Sequence, residues 1–207
     1  IFLNYMINHN NISSDGKKIS FPGTSLRYFD SFFSKKEAEI FFDLLIKEIK
    51  WQQDPIKIFG KTYLQPRLTA LYANNNNPYS YSGIKMYPNK MTPLLIEIQN
   101  RIQKVSDSKF TTVLLNQYRD GKDSNGWHAD NERELGENPV IASVSFGAER
   151  FFHLKHRNNK KLRLKIPLTS GSLLFMEGET QKYWLHQIAK TSRKIGPRIN
   201  LTFRKII

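Results

Sequence analysis

Arg198-Ile199-Asn200-Leu201-Thr202-Phe203-Arg204 alternates without a break. In an extended chain successive side chains point to opposite faces, so Arg198, Asn200, Thr202 and Arg204 share one face and Ile199, Leu201 and Phe203 the other. The apolar face is core, and the polar face is a wall carrying two arginines. Turned toward the inside of a barrel, those arginines are costly unless an anion neutralises them, and a guanidinium fork matches a carboxylate in bidentate geometry. Turned outward, they are an ordinary polar strand edge. Asn116 and Tyr118, in Leu115-Asn116-Gln117-Tyr118, share a face by the same parity and offer an amide and a phenol to one ligand.

This strand closes a series. From Phe110 onward short runs rich in Val, Ile, Thr and Phe alternate with turn-formers such as Asp120-Gly121 and Thr169-Ser170-Gly171. Strands are expected at 110–118, 140–147, 150–155, 162–168, 172–177, 184–189 and 198–206, enough for a sandwich or jelly roll. Two helices precede them. Ser34 with Glu37 three residues later forms a capping-box pattern ahead of Phe41, Leu44, Leu45 and Ile49 at helical spacing, so the first helix spans about 35–49. Thr92 followed by Pro93 starts a second, with Leu95, Ile98, Ile102 and Val105 along one face. The fold class is therefore α+β, and residues 74–77 before Pro78 read as a loop.

A chain of 207 residues with 39% hydrophobic and 13% aromatic content is sized for one domain. Residues 1–20, rich in Asn, Ser and Lys, read as a flexible lead-in. The single domain is then 21–207, divided into helices and a lid at 21–109 and a β core at 110–207. Lys and Arg total 32 against 18 Asp and Glu, a net charge of +14 that favours polyanions such as nucleic acid or an anionic membrane surface. No window approaches the roughly 18 consecutive apolar residues of a membrane span, and the start lacks a secretory leader pattern. An intracellular, monomeric protein without membrane attachment is expected, cytoplasmic in a prokaryote and nuclear in a eukaryote. A first residue of Ile1 instead of Met points to missing upstream residues.

With no cysteine, any metal must be held by His, Asp or Glu. Trp127-His128-Ala129-Asp130 puts two ligand-type side chains two apart, on one side of an extended strand end. His186, in Trp184-Leu185-His186, is the third candidate. Two imidazoles and a carboxylate on one face of an octahedral ion leave positions open for a co-substrate and dioxygen on non-haem Fe(II), while zinc hydrolysis also fits three ligands. A His-X-Asp pair alone is weak support. The inward-facing arginines add to it, since a dicarboxylate such as 2-oxoglutarate would neutralise them. His9, His153 and His156 lack comparable partners, and the last two read as polar positions in or beside a basic hairpin.

Taken together, Asn116-Gln117-Tyr118, His128-Ala129-Asp130, Ala142-Ser143-Val144-Ser145-Phe146-Gly147, His186 and the run from Pro197 to Ile206 resemble the AlkB family of dioxygenases, in particular its branch that repairs double-stranded DNA. The likeness runs from about Ile58 to Ile206. It implies a double-stranded β-helix, or jelly roll, with the N-terminal helices packed outside the sheet. His128, Asp130 and His186 would bind Fe(II), and Asn116, Tyr118, Arg198, Asn200, Thr202 and Arg204 would hold 2-oxoglutarate, Arg198 at its distal carboxylate and Arg204 near the metal. Implied too is O2-dependent conversion of 2-oxoglutarate to succinate and carbon dioxide, coupled to removal of N-methyl groups as formaldehyde from 1-methyladenine and 3-methylcytosine.

The resemblance also implies how a stacked base is reached. Ile58-Phe59-Gly60-Lys61 looks like the finger of the duplex-acting branch, with Phe59 as an apolar wedge and Gly60 allowing the turn; an ordinary hairpin with Phe59 in the core is the other reading. Tyr81, in Tyr79-Ser80-Tyr81-Ser82-Gly83, would stack on the flipped base opposite His128, with Tyr79 lining the same pocket. Glu132 would accept from the exocyclic amine of adenine or cytosine, or else pair with Arg133. Asn131 departs from the second acidic residue common there in this branch. Arg67, Arg193 and Lys194 match positions that support the pocket and grip the strands. The expected partner is methylated DNA, double- or single-stranded. RNA demethylation by the same fold and a non-catalytic nucleic-acid-binding jelly roll are the rivals, because phosphate-directed charge does not separate DNA from RNA.

Overall fold

The computed structural model describes residues 4–6, 16–58, 60–75, 79–81 and 84–206, with the main chain alone at 4–6, 57–58, 79–81 and 84–85. Phe59, His9, 76–78, Ser82 and Gly83 therefore lie outside the described residues, as do the side chains of Tyr79 and Tyr81. The first half contains β1 (Asn4–Met6), β2 (Lys17–Phe21), β3 (Thr24–Phe29), α1 (Lys35–Glu48), β4 (Pro55–Ile58), β5 (Lys61–Leu64), β6 (Leu68–Ala73), β7 (Tyr79–Tyr81), β8 (Ile84–Met86), β9 (Asn89–Lys90) and α2 (Pro93–Gln103). The second half contains β10 (Thr112–Tyr118), β11 (Asn125–His128), β12 (Ile141–Gly147), β13 (Arg150–His156), β14 (Arg163–Leu168), β15 (Leu173–Glu177), α3 (Thr180–Tyr183), β16 (Trp184–Ile188) and β17 (Arg198–Arg204).

Among the described residues two sheets dominate, one in the order β2-β3-β15-β12-β17-β10-β6-β9 and one in the order β1-β14-β13-β16-β11. The largely β-sheet core is consistent with a jelly roll. β17 is paired on both sides, with β10 and with β12, and all seven of its residues are buried. Its alternation therefore divides two interiors. Ile199, Leu201 and Phe203 join a cluster containing Ala38, Phe41 and Leu45 of α1 and Leu95, Ile98 and Ile102 of α2. On the other face of the large sheet, Leu114, Tyr118 and Met176 cluster with Phe152, Ile166, Trp184 and Ile188 of the smaller sheet. Arg198, Asn200, Thr202 and Arg204 face that second interior and line a cavity within it.

Local chemistry explains the element ends. Ser34 caps α1, its hydroxyl accepting from the Glu37 amide while the Glu37 carboxylate accepts from the Ser34 amide. Hydrogen bonds from Arg101 and then Ser34 hold the Glu37 carboxyl down at about 2. A depressed carboxyl contributes stability above its ordinary value, and that contribution is lost as pH falls toward 2. Ser34→Ala is expected to lower stability by about 1 kcal/mol, measured as a urea midpoint shift at unchanged slope. At the corner between β12 and β13, Gly147 has φ +86°, and a Cβ there would sit 2.5 Å from the Pro197 carbonyl and 2.7 Å from the Phe42 ring. Only glycine lets these segments approach so closely.

The structure differs from the sequence reading in the first half. Lys17–Phe21 is already a strand, so sheet structure starts inside the stretch assigned to the lead-in, and β3 and β6 belong to the large sheet through β15 and β10. Leu68–Ala73 is a nearly continuous apolar run buried on both faces, the pattern that periodicity cannot assign. Among the described residues no helix is long and apolar enough to cross a membrane.

Candidate active site

β11 and β16 are antiparallel neighbours with His128 opposite His186, their ring centroids 4.3 Å apart. β11 ends at His128, and Asp130 lies just beyond it. The Asp130 amide donates to Oε1 of Gln181 at 2.9 Å, and its Oδ2 accepts from Nη2 of Arg204 at 2.8 Å. Oδ1 is buried without a hydrogen-bond partner, 3.8 Å from Nε2 of His128. Nδ1 of His186 is likewise buried without a partner. Nδ1 of His128 sits 2.7 Å from the Gly126 carbonyl, which fixes that ring. One ligand atom from each of His128, Asp130 and His186 lies within 4.8 Å of the others.

The electrostatics suit a cation. Burial alone would push the Asp130 carboxyl up, but the charge of Arg204, with His186 and His128 behind it, holds it at about 2. Burial first, then the neighbouring His128, lowers His186 to about 3, and burial lowers His128 against the pull of Asp130. A carboxylate with two neutral imidazoles is the ionisation state of a metal ligand set. The orphaned Oδ1 and Nδ1 are the buried polar atoms that a divalent cation would satisfy. The three residues fit such an ion.

The cavity beside them is lined by the polar side chains of Asn116, Tyr118, Arg198, Asn200, Thr202 and Arg204. Phe152, Leu168 and Ile188 form the apolar side. Nη2 of Arg198 donates to Oγ of Ser145 at 2.9 Å, while its Nε and Nη1 are buried without partners. Burial, with Tyr118 opposing it and Arg150 adding to it, lowers Arg198 to about 10. Oδ1 of Asn116 accepts from Nε of Arg67 at 2.7 Å, leaving its NH2 group as the donor available to a ligand. Asn200 is tied into the sheet, donating to Oγ of Ser143 and to the Val144 carbonyl and accepting from Thr202.

Among the described side chains, Arg67, Glu132, Arg193 and Lys194 do not line this cavity. Arg67 is buried beneath Asn116 and also reaches the Ser124 carbonyl at 3.2 Å. Glu132 is half-buried ahead of the 3-10 turn Arg133–Leu135. Arg193 and Lys194 are exposed, and Arg193 lines a separate surface groove with His153, Lys165 and Lys190. β4 and β5 form a hairpin in which Ile58 pairs with Lys61 and Gly60 has φ +78°. Tyr79 pairs with Met86 and Tyr81 with Ile84 in the β7–β8 hairpin. Sequence reasoning did not single out Gln181, and it quoted Ser145 only within the run Ala142–Gly147, without a role. Both act on a distant segment by one hydrogen bond, which leaves no local pattern to read.

Two imidazoles and a carboxylate beside a cavity that a buried guanidinium also lines are the donor set of the facial-triad class of metal sites. Residues 25–204 match the model of the 2OG-Fe(II) oxygenase superfamily, and the chain belongs to that family. It is 42% identical over 184 residues to bovine (Bos taurus) alpha-ketoglutarate-dependent dioxygenase alkB homolog 3, covering 84% of this chain and 64% of that protein. Against mouse (Mus musculus) DNA oxidative demethylase ALKBH2 it is 36% identical over 205 residues, covering 94% of this chain and 85% of the relative. The chain thus spans a little under two thirds of the bovine protein. The structure entitled "The structure of OsALKBH1" matches with a TM-score of 0.63 at 16% identity, over 91% of this chain and all of that one, a likeness of fold.

Proposed function

We propose that the chain is an Fe(II)- and 2-oxoglutarate-dependent dioxygenase that demethylates 1-methyladenine and 3-methylcytosine in DNA. The observation that carries this reading is the single cavity joining His128, Asp130 and His186 to the unpartnered donors of Arg198. The names of the relatives and the net charge of +14 support the nucleic-acid substrate. The framework is a double-stranded β-helix with α1 and α2 outside its larger sheet.

His128, Asp130 and His186 would hold the iron, which when bound supplies the O2-dependent oxidation that turns 2-oxoglutarate into succinate and carbon dioxide and an N-methyl group into formaldehyde. The residues of the chain then bind, orient and exclude water. Nε and Nη1 of Arg198 would grip the distal carboxylate of 2-oxoglutarate, with Asn116 and Tyr118 alongside. Arg204 holds Asp130 by its Oδ2, which leaves Oδ1 for the cation. Phe152, Leu168 and Ile188, the apolar lining residues, would exclude water from the bound co-substrate. Tyr81 would stack on the extruded base, Tyr79 would line its pocket, and Glu132 would accept from its exocyclic amine. Arg67 braces Asn116, and Arg193 and Lys194 would grip the strands.

A formaldehyde-release assay on methylated single and double strands, with and without 2-oxoglutarate, tests this function. Release only when 2-oxoglutarate is present is the expected result; binding without release would leave a nucleic-acid-binding module, and faster turnover of matched RNA would move the substrate to RNA. Phe59→Ala is expected to slow duplex repair by about 1–3 kcal/mol of lost stacking and single-strand repair much less. Equal losses on both substrates would reject the wedge.

A further inference from the structure

Arg150, the first residue of β13, is 4% exposed and takes no part in the ligand sets above. Its guanidinium donates to three backbone carbonyls: Nη1 to Asp120 at 3.2 Å, and Nη2 to Asp123 at 3.0 Å and Ala189 at 2.5 Å. Those carbonyls belong to the two segments that leave the site. Residues 119–124 run from Tyr118 at the end of β10 to β11, which carries His128, and Ala189 follows β16, which carries His186. The same loop is pinned a second time, because the Thr191 amide donates to the Gly121 carbonyl at 2.8 Å and a Cβ at Gly121 would meet the Thr191 carbonyl at 2.6 Å. Within it, Arg119 clamps the buried carboxylate of Asp123 by its amide, Nε and Nη2.

Arg150 also stands 5.6 Å over the Tyr118 ring, and Arg198 stands 5.2 Å over that same ring. Tyr118 pairs with Arg198 across β10 and β17, so it forms the side wall against which the Arg198 guanidinium rests. Two cations on one ring leave the aromatic face as the element that keeps both in place, since like charges otherwise drive the more mobile group away. Arg150 is immobilised by carbonyls from two segments; Arg198 donates to Ser145 and lies against Tyr118, with its Nε and Nη1 left without partners.

We propose that Arg150 is a positioning residue for the co-substrate end of the cavity, fixing the Tyr118 ring so that the idle donors of Arg198 stay aimed at an incoming carboxylate. This rests on the reading of the cavity as a 2-oxoglutarate site. Arg150 touches neither metal ligands nor ligand cavity, so its effect falls on 2-oxoglutarate affinity and spares the metal. The Arg150 charge further depresses the Arg198 pKa, in keeping with their closeness.

Calorimetric titration of Mn(II), and then of 2-oxoglutarate, into wild type, Arg150→Met, Arg150→Lys, Tyr118→Leu and the Arg150→Met/Tyr118→Leu double variant tests the proposal. Arg150→Met is expected to weaken 2-oxoglutarate binding about tenfold, the order of a desolvated cation–aromatic contact, with Mn(II) affinity as in wild type. Arg150→Lys should recover part of that loss, and in the Tyr118→Leu background Arg150→Met should cost nothing further. Wild-type 2-oxoglutarate affinity in Arg150→Met, additive losses in the double variant, or matched losses of Mn(II) and 2-oxoglutarate would each overturn it. Should Arg150→Met not fold, Arg150→Lys decides: an ammonium cannot reproduce the planar three-carbonyl fork, and undiminished 2-oxoglutarate affinity there overturns the proposal. A wild-type protein that fails to bind 2-oxoglutarate at all would overturn the functional reading and this inference together.

Discussion

Asp130→Ala is expected to abolish succinate formation and, in the metal-free protein, to lower stability by about 3–5 kcal/mol, the usual cost of breaking one side of a buried ion pair. Both effects trace to one carboxylate. Its Oδ2 meets Nη2 of Arg204 at 2.8 Å with both side chains almost wholly buried, and its Oδ1 faces the two imidazoles. Removing it takes the negative charge from a cation site and from a buried guanidinium at once. Nucleic-acid affinity should stay close to wild type, because Asp130 is buried whereas Arg193 and Lys194, the proposed strand contacts, are exposed. Asp130→Asn separates the two effects, since an amide still accepts from Arg204 but offers the cation no charge; it should stay folded and stay inactive. Succinate assays, filter binding to an oligonucleotide and urea melts of both variants measure these outcomes. Turnover surviving in Asp130→Asn would remove Asp130 from the proposed metal site.

The parts of this arrangement that sequence makes legible are the local ones. The seven strands expected from residue 110 onward are strands, with ends agreeing to within two residues, because alternation and turn chemistry are properties of a few consecutive positions. The division of β17 into an apolar and a polar face is visible for the same reason, and so are α1 and α2 from their caps and periodicity. The spacing of His128 and Asp130 is visible too, yet the strand stops at His128, and Asp130 is turned inward by Gln181 and Arg204, partners 51 and 74 residues away. Opposition of His128 and His186 depends on the register of β11 against β16, which no local pattern specifies. Arg150 was invisible for a further reason. It works through main-chain carbonyls, and every residue has one of those, so nothing in the neighbouring side chains marks its role.

Arg198→Met should move stability the other way. In the ligand-free protein Arg198 is 1% exposed, with one hydrogen bond to Ser145 and with Nε and Nη1 unsatisfied. Burial lowers its pKa to about 10, which means the fold carries a penalty for this charge throughout the range below that pH. A thioether of similar length removes the charge and its idle donors together, and replacement of a poorly satisfied buried polar group by an apolar one is neutral or stabilising. The ligand-free variant should therefore melt at or above the wild-type temperature. Its 2-oxoglutarate binding should weaken by about 2–5 kcal/mol, roughly 30-fold or more, since a carboxylate would enter a desolvated pocket without its counter-charge. Arg204 cannot substitute, being already engaged with Asp130. Wild type should gain about 2.7 kcal/mol of stability at 2-oxoglutarate concentrations near a hundred times its Kd, and the variant no more than about 1 kcal/mol at that concentration. Thermal melts of Mn(II)-loaded protein with and without 2-oxoglutarate read both changes in one series. A variant that melts lower yet keeps its full 2-oxoglutarate shift would place the anion elsewhere, and the unpartnered donors of Arg198 would then have no ligand to account for them.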